Sequence, residues 1–230
     1  MGIIVGCDQS QEWLLPWWWD HFSKQNRYPV TFIDFGMSAE KKRWCHKRGE
    51  LISLNMSDVF VRDRDEVAIA LSEAWEQHYG KDFWGARKAW FRKPFACLHT
   101  PYERSIWLDL DCQVIGSLAK LFDACDHPSG LALCLDKNAP GYNSGVIVFR
   151  KNAPMLQEWA KQSLEKNSLF RGDQDLLTDL IGKRAIGELP ITYNWPFNYG
   201  ANPDALIIHW IGATGKEILS RQLMLKQFET

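Results

Sequence analysis

Apolar and polar positions alternate in two rhythms along this chain. Short apolar runs at residues 3–7, 30–35, 50–54, 105–108, 131–135, 145–150 and 206–210 read as strands, and several are apolar throughout, as buried strands are. Between them, residues 12–25, 39–48, 65–78, 86–99, 154–166, 174–181 and 219–230 read as helices, the last of them amphipathic. Pro94 stands inside the fourth of these and marks a kink or a break. Strands alternating with helices predict an α/β fold whose central sheet is mainly parallel and flanked by helices. In such sheets ligands bind beyond the carboxyl ends of the strands. Asp8, Asp109, Asp111 and His209 each follow an apolar run, so the fold can bring them to one edge.

The stretch Ile106-Trp107-Leu108-Asp109-Leu110-Asp111-Cys112-Gln113-Val114-Ile115 carries the densest chemistry. If the strand continues through it, Asp109 and Asp111 leave on one face. Two carboxylates sharing a face repel unless a cation lies between them. Hard oxygen ligands suit Mg²⁺ or Mn²⁺, and such an ion would neutralise a diphosphate. The plainer alternative is a strand followed by a solvated acidic turn, since D-x-D is short and common.

The 230 residues contain no Pro/Gly/Ser-rich linker and no internal repeat, which predicts a single domain over 1–230. A net charge of -1 gives no basic stripe for nucleic acid and no polybasic membrane anchor. No apolar run has the length of a membrane span, and the N-terminus lacks the features of a signal peptide. Six cysteines at 7, 45, 97, 112, 125 and 134 form no C-x-x-C pair. They read as small core residues of a reduced, cytoplasmic protein. The cluster Trp17-Trp18-Trp19 can be a sugar or base platform, but core plus a surface patch is the expected role.

Four segments recur in a recognisable order: the D-x-D strand, the run from Gly141-Tyr142-Asn143-Ser144-Gly145 to Phe149, Gly172-Asp173-Gln174-Asp175, and His209-Trp210-Ile211-Gly212-Ala213-Thr214-Gly215-Lys216. Together they resemble the retaining glycosyltransferases of family 8 and their relatives. The resemblance implies a GT-A (Rossmann-like) domain with a nucleotide-binding part at about 1–115 and a donor-sugar and acceptor part at about 116–230. It implies a nucleoside-diphosphate sugar donor, expected to be UDP-linked, and a metal, Mn²⁺ with Mg²⁺ as the alternative, on Asp109, Asp111 and His209. Asp8 would contact the nucleoside, and Arg92 or Lys93 the nucleotide. Asn143 and Asp173 would hold the donor sugar, with Gln174 nearest the anomeric carbon. Residues 212–216 would form a phosphate-binding turn in which Gly212 lets backbone donors approach and Lys216 supplies charge. Here the lysine stands one residue later than in the family, and Glu217-Ile218 replaces the usual Pro-Trp.

Taken singly, these residues have simpler roles. Asp8 can be a helix cap, His209 a satisfied core histidine, and Arg92 and Lys93 part of a solvated helix face. No residue stands out as a covalent nucleophile, so attack would come on the face from which the diphosphate leaves. The acceptor, a glycan, protein or small molecule, is not legible. Two other classes use similar patterns. One is a haloacid-dehalogenase-like phosphatase, whose D-x-D lies near the N-terminus. The other is a non-catalytic sugar-nucleotide binder.

Overall fold

A computed structural model of the chain describes every residue except 55, 57–59, 137–139 and 229–230. Its central sheet is built from β1 (Gly2–Cys7), β2 (Val30–Asp34), β3 (Glu50–Ser53), β4 (Arg104–Leu108), β6 (Leu131–Leu135), β7 (Tyr142–Arg150) and β8 (Gly187–Glu188). The order is β3-β2-β1-β4-β7-β6-β8. The first four run parallel, β7 is antiparallel to both neighbours, and β8 is parallel to β6. A smaller sheet of β5 (Cys112–Val114), β10 (Ile207–His209) and β9 (Trp195–Pro196) stands beyond the end of β4. The expected mixed, mainly parallel α/β sheet is therefore present.

Helices cover both faces, which is why the central strands are apolar throughout rather than alternating. Ile3, Val5, Ile106, Leu108, Val146 and Val148 turn to one side and meet Leu14, Trp18 and Phe22 of α1 (Leu14–Gln25). Ile4, Trp107, Ile147 and Phe149, one residue out of phase, turn to the other. There they meet α4 (Phe83–Leu98), α5 (Pro154–Glu165) and α6 (Asp173–Ile181). Trp17 and Trp18 are buried, and Trp19 lies against Phe32 and Trp44, so the tryptophan cluster is core. All six cysteines are buried and free. Among the described residues no helix is long and apolar enough to cross a membrane.

Several boundaries differ from the sequence reading. The third helix does not start at 65. A capping box between Asp63 and Glu66 closes a short 3-10 turn, and α3 (Ile69–Tyr79) starts after it. Helix α4 begins at Phe83 and passes through Pro94 without a break. Burial of Phe91, Pro94, Ala96 and Cys97 offsets the one lost backbone hydrogen bond. A helix over 39–48 is present as α2 (Ala39–His46), capped by Ser38, whose side chain accepts from the Lys41 amide. The last helix, α7 (Gly212–Phe228), starts seven residues before the expected 219.

Candidate functional site

The two carboxylates do not lie on a continuous strand. β4 ends at Leu108, the Asp109 amide still donates to the Gly145 carbonyl (2.8 Å), and the Cys112 amide returns to the Asp109 carbonyl (3.0 Å). Asp109 to Asp111 is therefore the tight turn that carries the chain from the large sheet to the small one. Asp109 accepts from Trp107 Nε1 (2.7 Å) and pairs with Lys93 Nζ (3.1 Å). Asp111 pairs with Lys216 Nζ (2.5 Å), and its other oxygen faces His209 Nε2 (3.3 Å). Burial pushes the Asp111 carboxyl up, but Lys216 and His209 outweigh it and hold it far below the usual range.

Lys93 is buried within this turn. Its ammonium reaches Asp109, Asp173 (3.3 Å), and both the Ser144 hydroxyl (3.1 Å) and carbonyl (3.2 Å). Burial alone would lower its pKa, yet the two aspartates raise it above the ordinary lysine value. It is not a solvated lysine. Asp173, the first residue of α6, also accepts from the Ser144 hydroxyl (2.9 Å). Desolvation raises its pKa, with Asp109 adding to the effect and Lys93 opposing it.

The other donor-sugar candidates gather around Ser144. Gln174 accepts from the Ser144 amide (3.1 Å) and donates to Asp136 (3.3 Å). Asn143 also donates to Asp136 (3.4 Å), accepts from the Gly145 amide (2.9 Å) and meets the Asn194 amide group (2.8 Å). Asn194 in turn reaches His209 Nδ1 (2.8 Å). Sequence reading named neither Asp136 nor Asn194. A signal existed for Asp136: like Asp8 and Asp109, it is a carboxylate directly after an apolar run. None existed for Asn194, which a 3-10 turn over Ile191–Tyr193 delivers just ahead of β9.

The donor set fits a cation. Among the described residues, ligand atoms of Asp111, Cys112 and His209 lie within 4.8 Å of one another, and Asp109 is outside that group. The Cys112 thiol points to the Gly145 carbonyl (3.7 Å), and burial raises its pKa well above normal. Asp111 and His209 together offer a mixed oxygen and nitrogen set for a divalent cation.

The expected glycine-rich turn is instead the first turn of α7. Gly212 has φ +77, which favours glycine, and Lys216 lies one turn into the helix. A Cβ on Gly215 would collide with the Trp210 backbone, so this glycine allows the helix to approach β10. Lys216 is on Asp111, whose charge raises its pKa against the effect of burial.

A cavity of about 520 Å³ opens at the carboxyl ends of β1 and β4 and is lined by Asp8, Lys93, Trp107, Asp111, Gly212 and Lys216, among others. Asp109 also lines it. An adjoining cavity of about 310 Å³ contains Asp8 and Arg92. Asp8 is no helix cap: one of its oxygens accepts from the amide (2.9 Å) and hydroxyl (2.6 Å) of Ser10. Arg92 donates to the Phe35 carbonyl (2.6 Å). Burial lowers its pKa while Asp8 and Asp34 act the other way. The candidates at the ends of β1 and β4, on α4 and on α7 thus line joined space, as the strand-end rule predicts.

No protein-family model matches the sequence, and no curated protein matches it. Solved structures do. The chain is similar to the galactosyltransferase LgtC in complex with donor and acceptor sugar analogues, at 15% identity and TM-score 0.60, over 93% of this chain and 88% of that one. It is similar to the glycosyltransferase GlyE of Streptococcus pneumoniae TIGR4 in its apo form, at 18% identity and TM-score 0.63, over 92% of this chain and 54% of that one. It is also similar to mouse xyloside xylosyltransferase 1, at 14% identity and TM-score 0.56, over 90% and 96%. The fold is that of GT-A glycosyltransferases.

Proposed function

We propose that the protein is a metal-dependent glycosyltransferase. It moves a sugar from a nucleoside-diphosphate sugar, expected to be UDP-linked, to a glycan, protein or small-molecule acceptor with retention of configuration. The observation that carries this reading is the turn at Asp109 to Asp111. It opens into a cavity shared with Asp8 and Lys216, and one of its carboxylates faces an imidazole nitrogen. The GT-A fold supports it, and does not favour the phosphatase alternative.

Asp111 and His209 would hold Mn²⁺ or Mg²⁺, with Asp109 beside them. When bound, the ion supplies Lewis-acid stabilisation of the diphosphate leaving group. The chain's own residues do the rest. Asp8 and Arg92 bind the nucleoside end. Lys216 holds Asp111 in the empty site and passes its charge to the diphosphate when the donor enters. Lys93 keeps Asp109 and Asp173 in place. Asn143 and Asp173 orient the donor sugar, and the Gln174 amide stands nearest the anomeric carbon. With Asp173 already engaged by Lys93 and Ser144, the acceptor attacks on the face that the diphosphate leaves, and a phosphate oxygen takes its proton.

A panel of sugar nucleotides tested for Mn²⁺-dependent binding and hydrolysis checks this reading. Turnover with metal and none in EDTA is expected, with Asp109→Asn and Asp111→Asn both inactive yet folded. Full turnover in EDTA overturns it. Metal-dependent binding without turnover on any donor points to the non-catalytic binder.

A further inference from the structure

The hydrogens of one chain of contacts in this site can be assigned by logic, because the chain begins at a backbone amide. The Gly145 N–H can only donate, and it meets Asn143 Oδ1 at 2.9 Å. That same oxygen lies 2.8 Å from Asn194, so Asn194 must present its NH₂ there. Its oxygen then faces His209 Nδ1, 2.8 Å away, and Nδ1 must carry a hydrogen. A neutral imidazole has one N–H, so Nε2 presents a lone pair, 3.3 Å from Asp111 Oδ1. Two acceptors face each other at that distance only when a cation or a second ring proton lies between them.

We propose that Asn194 is a positioning residue: it fixes the Nδ1–H tautomer of His209 and so leaves Nε2 open to a cation. Asn194 is 2% exposed. Remove that carbonyl, and the ring proton moves to Nε2, where Asp111 accepts it. The cation site is then blocked by its own ligand. Such outer partners set both the tautomer and the orientation of metal-binding histidines. Asn194 also has a second task. Its NH₂ holds Asn143, whose amide reaches Asp136, which in turn accepts from Gln174. A single line of side chains therefore joins the cation end of the site to the donor-sugar end. The metal consequence of this inference rests on the function proposed above, whereas the tautomer does not.

The test reads the ring directly. ¹⁵N NMR of metal-free protein labelled at histidine reports which nitrogen of His209 carries the proton, with His209→Gln assigning the signal. The wild type and Asn194→Asp, whose carboxylate still accepts from Nδ1–H, are expected to show Nδ1–H. Asn194→Leu is expected to show Nε2–H. In parallel, Mn²⁺ affinity of the nucleotide-free protein, measured by electron paramagnetic resonance, should fall about 10- to 100-fold in Asn194→Leu and by less in Asn194→Asp, which keeps the acceptor for Nδ1–H but loses the NH₂ on Asn143. A wild-type ring whose single proton is on Nε2, leaving Nδ1 bare, overturns the inference without any variant. So does Asn194→Leu with the proton still on Nδ1. A wild type with the Nδ1–H ring but no affinity for Mn²⁺ upholds the tautomer and overturns the metal-dependent function instead.

Discussion

Asp109 and Asp111 are two residues apart, each holds a lysine, and their surroundings are reversed. At Asp109 the lysine is the buried partner: the Lys93 side chain is 6% exposed and the carboxylate 27%. At Asp111 the carboxylate is the buried partner, at 6%, and the Lys216 side chain is 33% exposed. Lys93 also has a second aspartate and a serine to hold it. Lys216 has Asp111 and an open path to the cavity. The first pair is a fixed part of the fold, and the second is a latch. A motif of two identical carboxylates thus has one member anchored from beneath and one member closed from above.

The largest effect should come from breaking the anchored pair. Lys93→Met leaves the buried Asp173 and the partly exposed Asp109 without their shared counter-charge. Removing one partner of such a pair costs about 3–5 kcal/mol, which urea denaturation of the metal-free protein will show. Lys216→Met should cost less, because Lys216 is far more exposed than Lys93 and holds one carboxylate rather than two. Equal losses in the two variants would erase the distinction between anchor and latch.

The latch should show itself in ligand binding. Calorimetry of Lys216→Met is expected to show nucleoside diphosphate binding weakened by about 1.5–3 kcal/mol, roughly tenfold to a hundredfold. Binding of the nucleoside alone should change little. In the same variant, Mn²⁺ should bind the nucleotide-free protein more tightly than in the wild type, since no ammonium competes for Asp111. Unchanged diphosphate affinity would leave the phosphate role to Arg92.

Acid titration gives the smallest and subtlest contrast. The folded pKa of Asp111 is depressed, so it adds stability that is complete above the unfolded value of about 3.9 and drains away as pH falls below it. The folded pKa of Asp173 is raised, so its contribution has the opposite sign: it costs stability once pH exceeds that value. Asp111→Asn should therefore flatten the loss of stability between neutral pH and pH 3, and Asp173→Asn should not. Urea midpoints at the two pH values measure it, and a steeper acid loss in Asp111→Asn would contradict the sign.

The central strands were legible because each pattern filled a whole element: 3–7, 30–35 and 105–108 are apolar runs that helices cover on both faces. Strands of two or three residues, such as β8 and β9, are too short to show a period, and their pairing comes from partners distant in sequence. In the site, Asp8, Asp109, Asp111 and His209 were legible as polar residues directly after apolar runs. Burial was not. Arg87 reads as one charge on a basic helix face, yet it is fully buried. It donates to the carbonyls of Arg62, Asn167, Phe170 and Arg171 and lies near the rings of Trp75, Trp84 and Phe91. Lys93 likewise reads from spacing as part of a solvated helix face and is buried: helical spacing says which face a residue is on, but not what tertiary packing places over that face.

Gly145 sits in the middle of β7, where a glycine weakens a strand. A Cβ built there would run into the imidazole of His209. The absent methyl group is therefore the space that the histidine occupies. In evolutionary terms, the two positions are expected to change together although they stand 64 positions apart (209 less 145). A lineage that lost the histidine would be free to place alanine or valine at 145 and gain a better strand. A lineage that kept it would pay in strand stability at every generation. Descendants of this fold should carry both residues or neither, and a glycine here without its histidine would mark a site only recently abandoned.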